Sequence, residues 1–330
     1  MKPIFSITNK MLKQMIEISQ AIGSLEFQVE SNLRLRSENR LMSIHSSLAI
    51  ENNSLTFEQI TAIIDGKRVL GDPKEIQEVK NAYDAYEEIL ALRPYEQKDF
   101  LYAHALLTKD IVNESGQYRH KDVGVFNAAG KVVHLGARPQ FIGELMADLF
   151  SWGVEDKTPE LIKSCVFHYE IEVIHPLEDG NGRMGRLWQT VILANWNSIF
   201  AWIPIETIIY EHQQAYYDAL ASAGKQNAAN VFIEFMLDVI LKTLNAYKPN
   251  GNFNDIVSDK VHLDLTTTEN TLFKLLEKYL KDHKSVSTAV ASKLAGKAAP
   301  TVRRYLVKFV SLGLLEAHGQ NRNRVYSLKK

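Results

Sequence analysis

The run His175-Pro176-Leu177-Glu178-Asp179-Gly180-Asn181-Gly182-Arg183-Met184-Gly185-Arg186 constrains this chain most, because it cannot be threaded into a regular element. Pro176 keeps the backbone of His175 out of the α region, and Gly180 and Gly182 accept angles closed to other residues. Apolar residues at helical spacing flank the run. One helix, with Pro159 as its first residue and Thr158 as its cap, runs toward Ile174; a second starts near Asn181 and continues through Leu187, Val191 and Leu193. The run is therefore expected to be a loop between two helices, with His175 projecting from an extended turn. Converging N–H groups of Gly180-Asn181-Gly182 and the positive end of the second helix favour an anion there.

The residue types in this loop fit phosphate chemistry. His175 can take a proton from an attacking hydroxyl near neutral pH. Asp179 offers one hard oxygen ligand, which suits Mg²⁺ that also holds substrate phosphates. Arg183 and Arg186 are three apart, so both guanidinium groups leave one helix face near its N-terminus and can hold the distal phosphates of a nucleotide. Each residue alone also fits a solvated helix start in which Asp179 caps and the glycines turn. The whole set at this spacing favours the phosphate site.

The chain has 330 residues, 45% apolar and 23% charged, enough for two or three globular domains. Its net charge of −1 hides an asymmetry: residues 255–330 hold 14 of the 38 basic and 7 of the 39 acidic residues, a net of +7, and the body is acidic. The single Cys165 lies in an apolar helical pattern and reads as core. The N-terminus lacks a signal-peptide pattern, and Val231–Leu241, broken by Glu234 and Asp238, is too short to cross a bilayer. A soluble cytoplasmic protein with no membrane partner is expected.

Helical spacing runs through most of the body. One exception, Val123–Phe126 and Lys131–Leu135 about Gly130, predicts a short β-hairpin. Leu41–Glu51 predicts a helix that stops at Asn52-Asn53, and Thr56-Phe57-Glu58-Gln59 a capping box that opens another. The polar, breaker-rich stretch 247–252 predicts a domain boundary. Beyond it, Leu272, Leu275 and Leu276, then Val290 and Leu294, then Val302, Leu306, Phe309 and Val310 predict three amphipathic helices. Two strands follow, residues 313–318 and 323–328, in the order of a winged helix-turn-helix. Thr301, Arg304 and Lys308 on the third helix, with Arg322 and Arg324 on the wing, are candidate contacts to duplex DNA. A protein-contact role for this domain stays open.

The run from His175 to Arg186 resembles the Fic motif, His-Pro-Phe-x-(Asp/Glu)-Gly-Asn-Gly-Arg-x-x-Arg, and departs from it only at Leu177, where the family usually has Phe. Further resemblance extends from about Ser43 to Leu220, including Asn81–Ala85, Gly116–Arg119 and Tyr216–Leu220. It implies a mainly α protein: a Fic-type helical bundle with a hairpin flap, and a C-terminal winged helix-turn-helix. The expected divisions are 1–95, a helical region carrying an inhibitory helix at about 41–52; 96–248, the catalytic core; and 255–330.

The resemblance implies a protein adenylyltransferase, which transfers AMP from ATP to a Ser, Thr or Tyr hydroxyl of a target protein or of itself. His175 would be the base and Asp179 the Mg²⁺ ligand. Gly180, Asn181, Gly182 and Gly185 would shape the anion site, with Arg183 and Arg186 on the leaving pyrophosphate. Val132, Val133 and His134 would form the flap edge on which an extended target segment docks. Ser47-Leu48-Ala49-Ile50-Glu51-Asn52 resembles the family's inhibitory motif, (Ser/Thr)-x-x-x-Glu-(Gly/Asn). The resemblance then pairs Glu51 with Arg186. Some members use this glutamate to activate water and remove AMP, which stays open here. Tyr217, with Tyr216, is the candidate to face adenine. Two other functions remain: a DNA-binding regulator whose Fic domain senses nucleotide, and transfer of another phosphate-containing group.

Overall fold

The computed structural model describes residues 2–30, 33–126, 132–246, 267–297, 299–311, 314–319 and 324–328. Residues 1–248 form one unit, in the order α1 (Asn9–Glu30), α2 (Leu33–Ile50), α3 (Phe57–Ile64), α4 (Pro73–Glu87), α5 (Gln97–Leu107), β1 (Gly124–Phe126), β2 (Val132–Leu135), α6 (Pro139–Glu155), α7 (Glu160–Ile174), α8 (Asn181–Trp196), a 3-10 turn (Ser198–Trp202), α9 (Ile205–Glu211), α10 (Gln213–Gln226) and α11 (Asn230–Ala246). The protein is mainly helical.

The helices α7 and α8 are buried on nearly every side and pack on each other. Helices wetted on one face cannot occupy that position; these two can, because their apolar residues are not confined to a stripe. Around them Phe100, Phe150, Phe167 and Trp188 interlock edge to face, with Phe100 and Trp188 centroids 5.1 Å apart at 86°. The Trp188 indole N–H reaches Pro94 O at 3.0 Å. Cys165 is fully buried on α7, as its sequence pattern predicts, and burial pushes its thiol up to about 12. The central pair thus holds fixed the loop between Ile174 and Asn181.

Several boundaries differ from expectation. Pro159, not Thr158, caps α7, because the Thr158 hydroxyl is held by the Asp156 carboxylate at 2.6 Å. Helix α2 starts at Leu33 rather than Leu41. Its added first half lacks apolar spacing and is held instead by one tryptophan: Arg36 and Arg40 lie 4.9 and 4.5 Å from the Trp202 ring centroid, and Asn39 Nδ2 donates to Trp202 O at 2.7 Å. Its end matches: Ile50 is the last helical residue and Asn52 takes φ 66°. The capping box of α3 is formed reciprocally by Thr56 and Gln59.

The strands β1 and β2 pair antiparallel, Gly124 with Leu135 and Val125 with His134; the hairpin turn, residues 127–131, lies outside the described residues. The second unit, 249–330, contains α12 (Thr267–Asp282), β3 (Val286–Ser287), α13 (Thr288–Ala295), α14 (Ala299–Ser311), β4 (Leu315–His318) and β5 (Val325–Leu328). Its sheet is ordered β3-β5-β4, and Leu272, Leu276, Val302, Leu306, Phe309, Leu315 and Tyr326 form its core. Leu275 and Leu294 stay 39% and 36% exposed, outside the apolar stripe assigned to them. The two-residue β3 is too short to carry a sequence period. The stretch 247–252 lies outside the described residues. Among the described residues no helix is long and apolar enough to cross a membrane.

Gly153 lets α6 close on α7: a Cβ there would meet Tyr95 Cδ1 at 2.5 Å and Phe167 Cε2 at 2.9 Å. Gly153→Ala is expected to destabilise the protein by about 1–3 kcal/mol through overpacking, read as a lowered Tm in a thermal melt.

Candidate functional site

His175 caps the C-terminus of α7 in the left-handed region (φ 51°, ψ 59°), not in the extended turn that its proline neighbour suggests. Pro176 forbids αR at His175, but αL meets that restriction and still lets the His175 N–H donate to Ile171 O at 2.9 Å. A side-chain-bearing residue in αL costs on the order of 1 kcal/mol, so its neighbours must impose the shape. Leu177 is fully buried and anchors the loop. Asn181 grips it at two points, accepting the Leu177 N–H (2.9 Å) and donating to Leu177 O (3.0 Å). With its side chain so engaged, Asn181 offers an anion only its backbone. Gly180 turns the chain into α8 at φ 80°.

Asp179 sits half-exposed at the loop rim. Its Oδ1 accepts the Gly180 N–H at 2.6 Å and its Oδ2 lies 3.4 Å from Arg183 Nη2. Arg183 is buried between Asp179 and Glu78, whose Oε1 is 3.5 Å from Nη1. Among the described residues no group of three His, Cys, Asp or Glu could hold a metal alone. One accessible carboxylate fits a Mg²⁺ ion whose remaining ligands are substrate phosphates and water. Asp179 would hold it.

Arg186 meets the residues of the Ser47–Asn52 motif directly. Its Nη2 donates to Glu51 Oε1 at 2.6 Å and to Ser47 O at 3.1 Å, and its Nε to Ser47 Oγ at 3.1 Å. Burial, the largest influence, would lower the Arg186 pKa, but the Glu51 charge and hydrogen bond together with Tyr216 and Glu172 outweigh it and the guanidinium is held fully protonated. Gly182 makes room for the pair, since a Cβ there would collide with Glu51 Oε1 and lie 3.2 Å from Arg186 Nη1. Likewise a Cβ on Gly185 would come within 2.7 Å of His168 Cδ2. Gln213 Nε2 and the Tyr217 hydroxyl both donate to Ile50 O, at 2.9 and 3.3 Å, so Tyr217 stands 42% exposed beside the end of α2 while Tyr216 is core. Asn52 closes α2 beside Glu51.

Val132, Val133 and His134 lie on β2, whose return strand leads through Gly136 and Ala137 to the loop: Ala137 N–H donates to Ile174 O at 3.0 Å. Thr301, Arg304, Lys308 and Arg324 belong to the second unit. Arg322 lies outside the described residues.

Sequence reasoning gave no role to several buried polar groups here. His104 accepts the Gly116 N–H on Nδ1 and donates from Nε2 to Asp179 O, both at 3.1 Å, while burial pulls its pKa down to about 4. A lone histidine on an apolar helix face carries no signal of such a role. Behind Arg186, His168 Nδ1 faces Gln189 Oε1 (2.7 Å), His168 Nε2 faces the Tyr216 hydroxyl (3.0 Å), and that hydroxyl faces Glu172 Oε1 (3.1 Å). The Tyr216 hydroxyl donates its proton to Glu172. Burial pushes Glu172 up to about 7, Arg186 opposing and Glu51 reinforcing the shift.

The raised pKa has a definite sign in stability. Burial of neutral Glu172 contributes fully below its ordinary carboxylate range and the contribution is lost as pH rises through about 7. Glu172→Gln stays neutral throughout. Thermal melts from pH 4 to 9 should therefore show the variant gaining on the wild type as pH rises from the ordinary carboxylate range to about 7 and levelling off above it, and a pH-independent difference would refute the raised Glu172 pKa.

Residues 94–193 match the family model described as the Fic/DOC family. A probable protein adenylyltransferase of Aquifex aeolicus is 29% identical over 196 residues, covering 57% of this chain and 55% of that protein. A protein adenylyltransferase Fic of Aedes aegypti is 26% identical over 256 residues, 71% of this chain and 48% of its own length. The chain thus spans about half the length of these curated relatives. The crystal structure of a Fic family protein from Desulfovibrio desulfuricans G20 is 38% identical, with a TM-score of 0.72 over 99% of this chain and 98% of that one. Likeness at that identity across nearly the full length of both chains means that this chain belongs to the Fic family.

Proposed function

We propose that the chain is a protein adenylyltransferase, moving AMP from ATP to a Ser, Thr or Tyr hydroxyl of another protein or of itself. The grouping of His175, Asp179, Arg183 and Arg186 about the N-terminus of α8 carries this reading. His175 accepts the hydroxyl proton as the oxygen bonds to the α-phosphorus, and the bond to the β-phosphate breaks. Arg183 and Arg186 steady the departing pyrophosphate, and backbone N–H groups of Gly180, Asn181 and Gly182 receive phosphate oxygens. Mg²⁺ on Asp179 would offset the phosphate charge. An extended target segment docks along β2 at Val132, Val133 and His134; among the described residues the hairpin is a two-stranded sheet, which supports an edge for strand addition. Tyr217 is the candidate for the adenine face.

Ser47, Glu51 and Asn52 restrain this activity in our reading. The cation meant for a phosphate already holds a carboxylate at 2.6 Å, and a nucleotide must displace it. Glu51→Gly should raise incorporation of AMP from labelled ATP and Mg²⁺ by about ten-fold or more, the scale of one charge-assisted hydrogen bond. His175→Ala in that background should lower it by about 10²–10⁴-fold. Equal labelling of wild type and Glu51→Gly sinks the restraint. Protection by excess of another nucleotide, and not by ATP, moves the chain to transfer of a different phosphate-containing group.

The second unit supports an additional reading, a winged helix-turn-helix that binds duplex DNA. Arg304 is exposed on α14, with Thr301 and Lys308 half-buried beside it, while Val302, Leu306 and Phe309 face the core; Arg324 is exposed at the start of β5. Binding of duplex DNA should weaken steeply between 50 and 200 mM salt and further in Arg304→Ala. Absence of binding even at low salt would leave this domain a protein-contact module.

A further inference from the structure

Arg119 joins three backbone segments that meet at the site. It is buried, and its guanidinium donates from Nε to His175 O (2.7 Å), from Nη1 to Lys121 O (2.5 Å) and from Nη2 to Ala137 O (2.6 Å). Lys121 lies just before β1 and Ala137 just after β2. One planar group therefore ties both roots of the hairpin to the carbonyl of His175.

The surrounding backbone closes in the same sense. The Arg119 N–H donates to Pro176 O at 3.0 Å, and Gly136 N–H to Val123 O at 3.1 Å. Gly136 is the clearance that permits this approach, since a Cβ there would lie 2.6 Å from Arg119 Nη2 and 3.0 Å from His175 Cβ. Three acceptors in different directions require the guanidinium fork; a lysine ammonium has one centre and cannot reach all three. The three side-chain bonds all go to carbonyls, so the contact does not exist to pair charges. What it fixes is geometry.

A two-stranded hairpin is only marginally stable by itself, so its position relative to His175 must be imposed from outside its own ladder. We propose that Arg119 is a positioning residue that locks the hairpin to the catalytic loop, so that a hydroxyl carried by a segment docked on β2 arrives at His175. The proposal rests on the adenylyl-transfer reading above and names the part that sets its alignment.

The test uses the full chain carrying Glu51→Gly and compares it with Glu51→Gly/Arg119→Lys and Glu51→Gly/Arg119→Gln. The rate of self-labelling is followed against ATP concentration, with ATP binding measured separately by calorimetry. Loss of alignment should lower the maximal rate by about ten-fold or more, given that a misplacement of about 1 Å can cost 10²-fold. Half-saturation by ATP should stay within about two-fold, because Arg119 does not reach the phosphate-binding arginines. Lysine keeps the charge and should rescue Tm better than glutamine without restoring the rate. A second readout places a spin label on Leu135→Cys, a position 70% exposed on β2, with buried Cys165 shielded from the reagent. Label mobility should rise in both Arg119 variants.

An unchanged maximal rate overturns the proposal. So does a rate that falls only in proportion to the folded, ATP-binding fraction, since Arg119 would then merely support the fold. If Glu51→Gly itself forms no AMP adduct, the adenylyl-transfer reading fails instead. The spin label still decides whether Arg119 holds the hairpin to the loop, and unchanged mobility overturns that link.

Discussion

A guanidinium left 2% exposed inside a protein must have an anion, and Arg186 has Glu51. Much of the first unit follows from that requirement. The carboxylate arrives on the residue just after α2, so α2 must end beside the first turn of α8. Gly182 must lack a side chain for the oxygen to reach, and Ser47 must supply its hydroxyl and carbonyl one turn earlier on the same helix face. At the other end, Trp202 holds α2 under two arginines. In the proposed restraint the pair is also an exchange point, because a phosphate brought to the head of α8 would compete with Glu51 for one cation. Structure and proposed restraint thus share a single bond.

The loop from His175 to Gly180 is the second over-determined element. His175 is left-handed, which a β-carbon resists, and the conformation persists because the loop is gripped along its length. Arg119 takes the carbonyl of His175, Asn181 takes both backbone groups of Leu177, and His104 takes the carbonyl of Asp179. A loop held at several carbonyls has little freedom to reorganise when charge develops beside it. That is the condition under which fixed dipoles stabilise a transition state best.

The loop's chemistry was legible because it is local. A base, a carboxylate, a glycine turn and two arginines within twelve residues can be read without knowing the fold. The starts of α3 and α8, the end of α2 and the paired strands of the hairpin were legible for the same reason, since caps and periodicity act over a few residues. The first half of α2 was not, because Trp202 holds it from far along the chain. Nor was β3, two residues long and defined only by its pairing with β5. Thr158 reads as a cap until Asp156 is seen to hold its hydroxyl.

The amino-acid order by itself determined which residues could do chemistry and that the loop would sit between two helices, because steric limits at Pro176 and Gly180 act within a residue or two, whereas Gly182 is helical and serves to admit Glu51. Tertiary structure alone decided the αL conformation of His175, the neutral histidine behind Asp179, the raised pKa of Glu172 and the triple grip of Arg119. Each depends on burial and on partners up to 56 residues away in sequence, or further in the case of His104 and Asp179. Hydrogen-bond direction and desolvation act through space, and only the folded chain fixes that space.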